Sequence, residues 1–168
     1  MAYGAGTIGA QGPQGAQGSQ GTAGPQGTSY TLSGKGSVAG VTGSWVSTSE
    51  TTTSTSFTNL TTVGPTVSTS TGTDAIVILS AITWNTTTPG ATNYISFDVI
   101  DKNGTTTHSA SEANGAFAAV QYSNQAVNLA RTVFLTGLTS GSNTFRMKYK
   151  TNNGTAGFNT RSITIIPL

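Results

Sequence analysis

The chain has 168 residues and a mass of 17.0 kDa, which is enough for one ordinary domain with a short appendage. Charged residues make up 7% of it, the formal net charge is +2, and there is no cysteine. Such sparse charge argues against electrostatic binding of nucleic acid, and the missing cysteine excludes disulfides and thiolate metal sites. No apolar run reaches the ~18 residues of a membrane span, so membrane insertion is not expected.

Residues 6–29 contain glycine at every third position. In a collagen-like triple helix every third residue lies at the crowded axis of three chains, where only glycine fits. The period therefore predicts a homotrimeric collagen-like stalk, and the alternative is a flexible Gly/Gln/Ser linker with an accidental period. The stalk glycines are Gly6, Gly9, Gly12, Gly15, Gly18, Gly21, Gly24 and Gly27.

Few features of this stalk would stabilise it by itself. Its only prolines are Pro13 and Pro25, both at the second triplet position, and no charged residue occurs before Lys35. The third positions are mostly glutamine, so the stalk does not depend on hydroxyproline, which indicates a bacterial or viral origin. We expect a marginal triple helix that a trimeric head holds in register. A Gly-rich neck is predicted at 30–43, followed by the head at 44–168.

The head has the pattern of an all-β domain. Segments rich in β-branched and aromatic residues alternate with turn signals, and no apolar pattern has helical spacing. The one segment where a helix is an alternative to a strand or turn is 111–119, and the dipeptide Asn114-Gly115 argues against a helix there. Ten short strands in this length predict a β-sandwich, most plausibly a jelly roll. The expected strands are 44–49, 55–61, 65–70, 74–85, 93–101, 105–110, 116–122, 127–137, 143–151 and 157–166.

The strand expected at 74–85 is apolar on both faces. Val77 and Leu79 lie on one face and Ile76, Ile78, Ile82 and Trp84 on the other. A strand of this kind must be covered on both sides, whereas a monomeric sandwich covers only one. We expect the second set to form the trimer interface of the head, with burial in a central strand as the competing explanation.

Candidates for chemistry are few, and no enzyme activity, metal or cofactor is expected. His108 is the only histidine and lies in a polar segment without a nucleophile motif. Asp98 and Asp101 are three residues apart along a strand, which puts them on opposite faces and disfavours a glycosidase pair. Asp101 to Gly104 has a faint resemblance to a calcium loop but fits a hairpin turn better.

Surface recognition has two sets of candidates. Arg146, Lys148 and Lys150 alternate with apolar residues and form a basic ridge that could contact anionic polymers. The more common alternative is the solvated face of an edge strand, where lysine blocks edge pairing. Exposed aromatic residues could stack on sugars, and Trp45, Trp84 and Tyr122 are candidates that could equally belong to the core.

A short collagen-like rod joined to a compact C-terminal β head resembles the collagen-stalked fibre proteins of tailed bacteriophages. The stretch 137–168, with its basic-aromatic strand, Gly-rich turn and Arg-x-Ile-x-Ile segment before Pro167, looks like the last hairpin of such heads. The resemblance implies a homotrimer attached to a virion by its N-terminus. Residues 1–5 would be the anchor in a capsid protein, through Met1, Ala2 and Tyr3, unless this end is frayed.

From these observations we expect a non-enzymatic virion structural protein, a head fibre on the capsid surface. Its expected partners are its own copies, capsid proteins and host or environmental glycans. The small size and early start of the rod favour the capsid over the tail. Two alternatives stay open: a receptor-binding fibre of the phage tail, and a trimeric binding module like C1q or tumour necrosis factor on a bacterial or spore surface.

Overall fold

The computed structural model describes residues 41–168. The predicted anchor at 1–5, the stalk glycines from Gly6 to Gly27 and most of the neck at 30–43 lie outside the described residues. Within residues 41–168 every regular element is a β-strand, and no helix is long and apolar enough to cross a membrane.

Ten strands make up the head. They are β1 Thr42–Val46, β2 Glu50–Thr52, β3 Thr66–Thr71, β4 Asp74–Asn85, β5 Ala91–Ile100, β6 Thr106–His108, β7 Ala116–Val120, β8 Val127–Thr136, β9 Gly141–Thr151 and β10 Ala156–Pro167. Two sheets form. The first sheet has the order β1-β10-β4-β8, with β2 also paired to β10, and the second has the order β3-β9-β5-β6, with β7 also paired to β5.

The pairings are nested from the ends of the chain towards its middle. Strand β1 pairs with β10, β3 with β9, β4 with β8, and β5 with both β6 and β7, all antiparallel. A chain folded back on itself and then rolled into two sheets is the jelly-roll topology. The expected all-β jelly-roll sandwich is confirmed for the described residues.

The core lies between the two sheets because alternate side chains of each strand point inward. The first sheet contributes Val77, Leu79 and Ile163, and the second contributes Phe97 and other fully buried side chains. The alternation predicted along β9 is also found, since Phe145, Met147 and Tyr149 are fully buried. The outer faces of both sheets then remain for other contacts.

One predicted strand, at 55–61, is wrong. In this segment only Thr58 forms a ladder contact, an isolated bridge to Tyr149, and the regular strand is instead the short β2. The many threonines favour extended backbone by propensity alone, but a strand also needs a partner along its length. The first strand begins at Thr42, inside the segment predicted as neck.

Candidate functional site

The outer face of the first sheet is broad and almost without charge, and we call it the apolar face. Strand β4 crosses its centre between β10 and β8, and cross-strand partners place the outward side chains in rows. From the row of Ile76 to the row of Trp84, none of its described side chains is charged. Those outward residues are Gly43, Trp45, Thr51, Ile76, Ile78, Ser80, Ile82, Trp84, Asn128, Ala130, Thr132, Phe134, Gly157, Asn159, Ser162, Thr164 and Ile166.

Large apolar side chains of this face are exposed. Trp45 on β1 is 69% exposed, Phe134 on β8 is 60% exposed, and Ile78 at the centre is 38% exposed. Trp84 is half-buried because its indole lies directly over Gly157, where a Cβ atom would collide with the ring. Asp74, at the end of the face, is buried. Among residues 41–168 nothing covers the centre of the apolar face.

The four residues expected at a trimer interface, Ile76, Ile78, Ile82 and Trp84, therefore share one outward face. Val77 and Leu79 are fully buried on the opposite side of the strand. Strand β4 is indeed central in its sheet, but a central position covers its edges and not its outer surface. Sequence reasoning left out Trp45 and Phe134, which the pairing with β10 and β8 adds to the same surface.

The outer face of the second sheet is different, and we call it the charged face. Asp98 on β5 lies between two bases of β9: its Oδ2 is 3.3 Å from Arg146 Nη2 and 3.1 Å from Lys148 Nζ. The backbone N–H of Ala110 donates to Asp98 Oδ1 over 3.1 Å, so the segment after β6 covers this carboxylate. Two of the three ridge cations are thus paired with one half-buried acid.

The third cation, Lys150, lies among aromatic rings. Its Nζ is 4.5 Å from the ring centre of Tyr94 and 5.0 Å from that of Phe57, and it forms an ion pair with Glu112. Phe117 on β7 packs against Tyr94 with ring centres 5.6 Å apart. The expectation that the ridge belongs to an edge strand is wrong, because β9 pairs with β3 on one side and β5 on the other.

A buried ion pair inside the sandwich is absent from the sequence interpretation. Arg161 is fully buried, lies 3.1 Å from Glu50 Oε2, and has its guanidinium 5.4 Å from the ring centre of Tyr149. Arg161, Ile163 and Ile165 are spaced two residues apart on β10, so alternation places all three on the inward side. This spacing could have indicated the ion pair from the sequence, since an arginine that points into the core needs an acid as its partner. A register irregularity between Asn159 and Ser162 resets the alternation there.

The pKa values of Glu50 and of the neighbouring Tyr149 are both shifted at this site. Burial by itself would raise the pKa of the Glu50 carboxyl, but hydrogen bonds from the Thr62 N–H and hydroxyl, with the charge of Arg161, reverse this and lower the pKa. Burial raises the pKa of the Tyr149 phenol far above its ordinary value. That hydroxyl donates to the carbonyl of Gly64 over 2.8 Å. The ion pair between Arg161 and Glu50 therefore has a structural role at one end of the core.

The residues weighed for catalysis are not brought together. Asp101 forms a turn: its Oδ1 accepts from the N–H groups of Asn103 and Thr105, both at 2.9 Å, and Gly104 has a φ of 79°. The pKa of Asp101 is below its ordinary value, chiefly because its carboxylate accepts the hydrogen bond from the Thr105 N–H. His108 contacts Thr107 and the carbonyl of Thr136. Within residues 41–168 no group of three His, Asp or Glu side chains could hold a metal ion.

Comparison with known proteins identifies the fold and no family. No family model and no curated protein matches the sequence. Among solved structures, the chain is similar to a chain of infectious bursal disease virus, Gt strain, with a TM-score of 0.51 and 13% identity over 76% of this chain and 32% of that one. A chain of the Gx strain gives a TM-score of 0.49 and 11% identity over the same fractions of the two chains. Eiger TNF from S. frugiperda gives a TM-score of 0.38 and 8% identity over 74% of this chain and 93% of that one.

The likeness to the Gt strain shows a shared fold alone, and this chain spans about a third of that viral chain. The nested pairing of the strands and this likeness are both compatible with a jelly-roll fold. The head is a jelly-roll sandwich with one apolar and one charged outer face.

Proposed function

We propose that the chain is a structural protein of a virus particle: a homotrimeric fibre on a bacteriophage capsid, anchored by its N-terminal residues and displaying three jelly-roll heads. The observation that carries the proposal is the apolar face on the first sheet. Strand β1, the first strand of the described residues, forms one edge of that sheet. The Gly-X-Y period supports three chains, and the apolar face offers those chains a surface to bury.

Exposed apolar surface on this scale argues for a partner. Soluble monomers rarely leave a large contiguous apolar patch in water, and interface centres are depleted of charge and enriched in aromatic residues. Three heads carried by one stalk also meet at high effective concentration, so the second copy is the partner most readily supplied. Ile78, at the centre of the face, would then be buried in the trimer.

The oligomeric state tests the proposal directly. Sedimentation equilibrium of the full chain should give three times the 17.0 kDa chain mass. Gly15→Ala should lower the melting temperature of the triple-helix circular dichroism signal, because a Cβ does not fit at the axis. Ala16→Ser, at the neighbouring second position of the triplet, is the matched control and should leave it unchanged. A single-chain mass for the unmodified protein would refute the trimer.

The place in the virion needs its own experiment. Particles carrying the protein should be labelled on the capsid by antibodies against the head in electron micrographs. A variant lacking residues 1–5 should remain trimeric but be absent from purified particles. Label on the tail would favour the alternative of a receptor-binding tail fibre, and truncated protein that still decorates particles would refute the anchor.

A further inference from the structure

The charged face carries an aromatic group beside its ion pairs. Phe117 on β7 is 60% exposed and is the most exposed large apolar side chain on the outer face of the second sheet. It is the cross-strand partner of Tyr94, and the two rings are tilted by 37° with centres 5.6 Å apart. The contact with Tyr94 covers part of the Phe117 side chain, and the greater part of it stays exposed to solvent.

A carboxylate and an ammonium group lie next to these rings in a fixed arrangement. Lys150 is held by three partners, the rings of Tyr94 and Phe57 and the carboxylate of Glu112. Its side chain is only 15% exposed, whereas that of Glu112 is 56% exposed and keeps oxygens available for further hydrogen bonds. Rigid donors and acceptors bind with a smaller loss of side-chain entropy than free ones do.

We propose that Phe117, Tyr94, Glu112 and Lys150 form a binding site for a neutral pyranose of a surface glycan. This rests on the proposed function, in which the fibre displays its heads on the particle, and adds that the heads attach to glycans. The apolar C–H face of a sugar ring would stack on the open face of Phe117. Its hydroxyls would donate to Glu112 and accept from Lys150, so each polar group of the site finds a partner.

Other ligand classes fit the same residues less well. An anion is disfavoured because Glu112 already neutralises Lys150, and an organic cation is disfavoured because the Lys150 ammonium occupies the space between the rings of Phe57 and Tyr94. A protein partner needs roughly 800 Å² on each side. One exposed phenylalanine beside an ion pair offers an area closer to that of a single sugar.

The position on the second sheet also suits adhesion. If copies bury the apolar face, the charged face of every head stays accessible, and each fibre presents three equal sites. Weak binding at each site then adds up to a stable attachment. Affinity for a single sugar unit is expected in the millimolar range or near it, since one stacked ring and a few hydrogen bonds bind weakly in water.

The test uses the full-length trimer on immobilised oligosaccharides ending in glucose, galactose, mannose or N-acetylglucosamine, with sialylated and sulfated glycans alongside. We expect binding to at least one neutral glycan. Phe117→Ala should weaken it at least ~10-fold, and Phe117→Trp should retain it. Glu112→Gln should weaken binding by a similar factor. Val63→Ala, which shortens another exposed apolar side chain that is not among these four residues, is the matched control and should bind normally.

The outcomes separate this site from the proposed function. Sedimentation equilibrium and thermal melting establish for each variant that the trimer is intact. An intact trimer that binds no neutral glycan, binds only acidic ones, or binds equally well as Phe117→Ala overturns the glycan site and leaves the fibre proposal standing. A single-chain mass overturns the fibre proposal first.

Discussion

The two outer faces of the sandwich differ in composition although the same folding rule produces both. On the apolar face most outward positions of β4 are apolar, namely Ile76, Ile78, Ile82 and Trp84, whereas on the charged face β9 has three outward cations, Arg146, Lys148 and Lys150. Alternation alone decides which residues point outward. The chemistry of those residues then decides whether the face is suited to burial or to water.

The two faces also differ in the kind of interaction through which they would contribute to stability or association. The apolar face would contribute to association through area removed from water, at roughly 25 cal/mol per Å². The charged face is organised by ion pairs around Asp98 and Glu112, which orient side chains and contribute modestly to stability. Changes on the first face should therefore alter assembly, and changes on the second should alter recognition or stability by small amounts.

The largest effect is expected from Ile78→Lys. It places an ammonium group at the centre of the proposed interface, where desolvation without a partner costs several kcal/mol in each copy. Because the stalk is marginal by itself, sedimentation equilibrium of the full chain should shift from the trimer towards a single chain. The head should stay folded, since Ile78 points away from the core.

A matched pair of variants checks the choice of face. Thr132 on β8 and Ser70 on β3 are both exposed hydroxyl residues on edge strands, one on the outer face of each sheet. Thr132→Lys should weaken the trimer and Ser70→Lys should not. The reverse pattern would show that the heads associate through the charged face.

The next largest effect is expected inside the sandwich. Arg161→Ala removes a fully buried cation from Glu50, and breaking a buried pair costs about 3–5 kcal/mol because the remaining carboxylate, although still hydrogen-bonded to Thr62, loses its counter-charge. Urea denaturation of the head should show this loss, with a lower midpoint. Arg161→Met combined with Glu50→Gln should recover part of it, and equal stability of Arg161→Ala and the unmodified protein would contradict the structural role.

The same pair gives a dependence on pH. The pKa of Glu50 is lower in the folded head than its ordinary value of 4.5. Its stabilising contribution is therefore complete above pH 4.5 and is lost as the pH falls below that value through the lowered folded pKa. The melting temperature of Glu50→Gln, measured between pH 7 and pH 2, should fall less steeply in acid than that of the unmodified protein. Parallel curves would show that Glu50 does not titrate in this way.

Much of the fold could be predicted because alternation is a local signal. The bounds of β4 and the inward and outward sides of β9 follow from single segments of sequence. The partners of Asp98, Lys150 and Arg161 do not, because each ion pair joins residues that are 38 or more positions apart. Strand β2 was missed for a similar reason, since its pairing with β10 depends on the whole topology.

The candidate sites divide in the same way. The outward set on β4 was visible as a second apolar stripe, but Trp45 and Phe134 join it only through cross-strand register. The basic ridge was visible as well, but the acids that pair with it come from β5 and from the segment before β7. Phe117 was not singled out, because its neighbours Tyr94 and Lys150 lie on other strands.

The smallest effect is expected from Asp98→Asn on the charged face. The amide keeps an acceptor for the Ala110 N–H but leaves Arg146 and Lys148 without their shared carboxylate. Partly exposed pairs contribute little, so we expect a loss of about 1 kcal/mol in low salt, measured by urea denaturation. Salt screens such pairs, and the difference between variant and unmodified protein should shrink in ~1 M NaCl. A loss that is large and independent of salt would contradict this prediction, because the variant removes the shared negative charge and salt screens ion pairs of this kind.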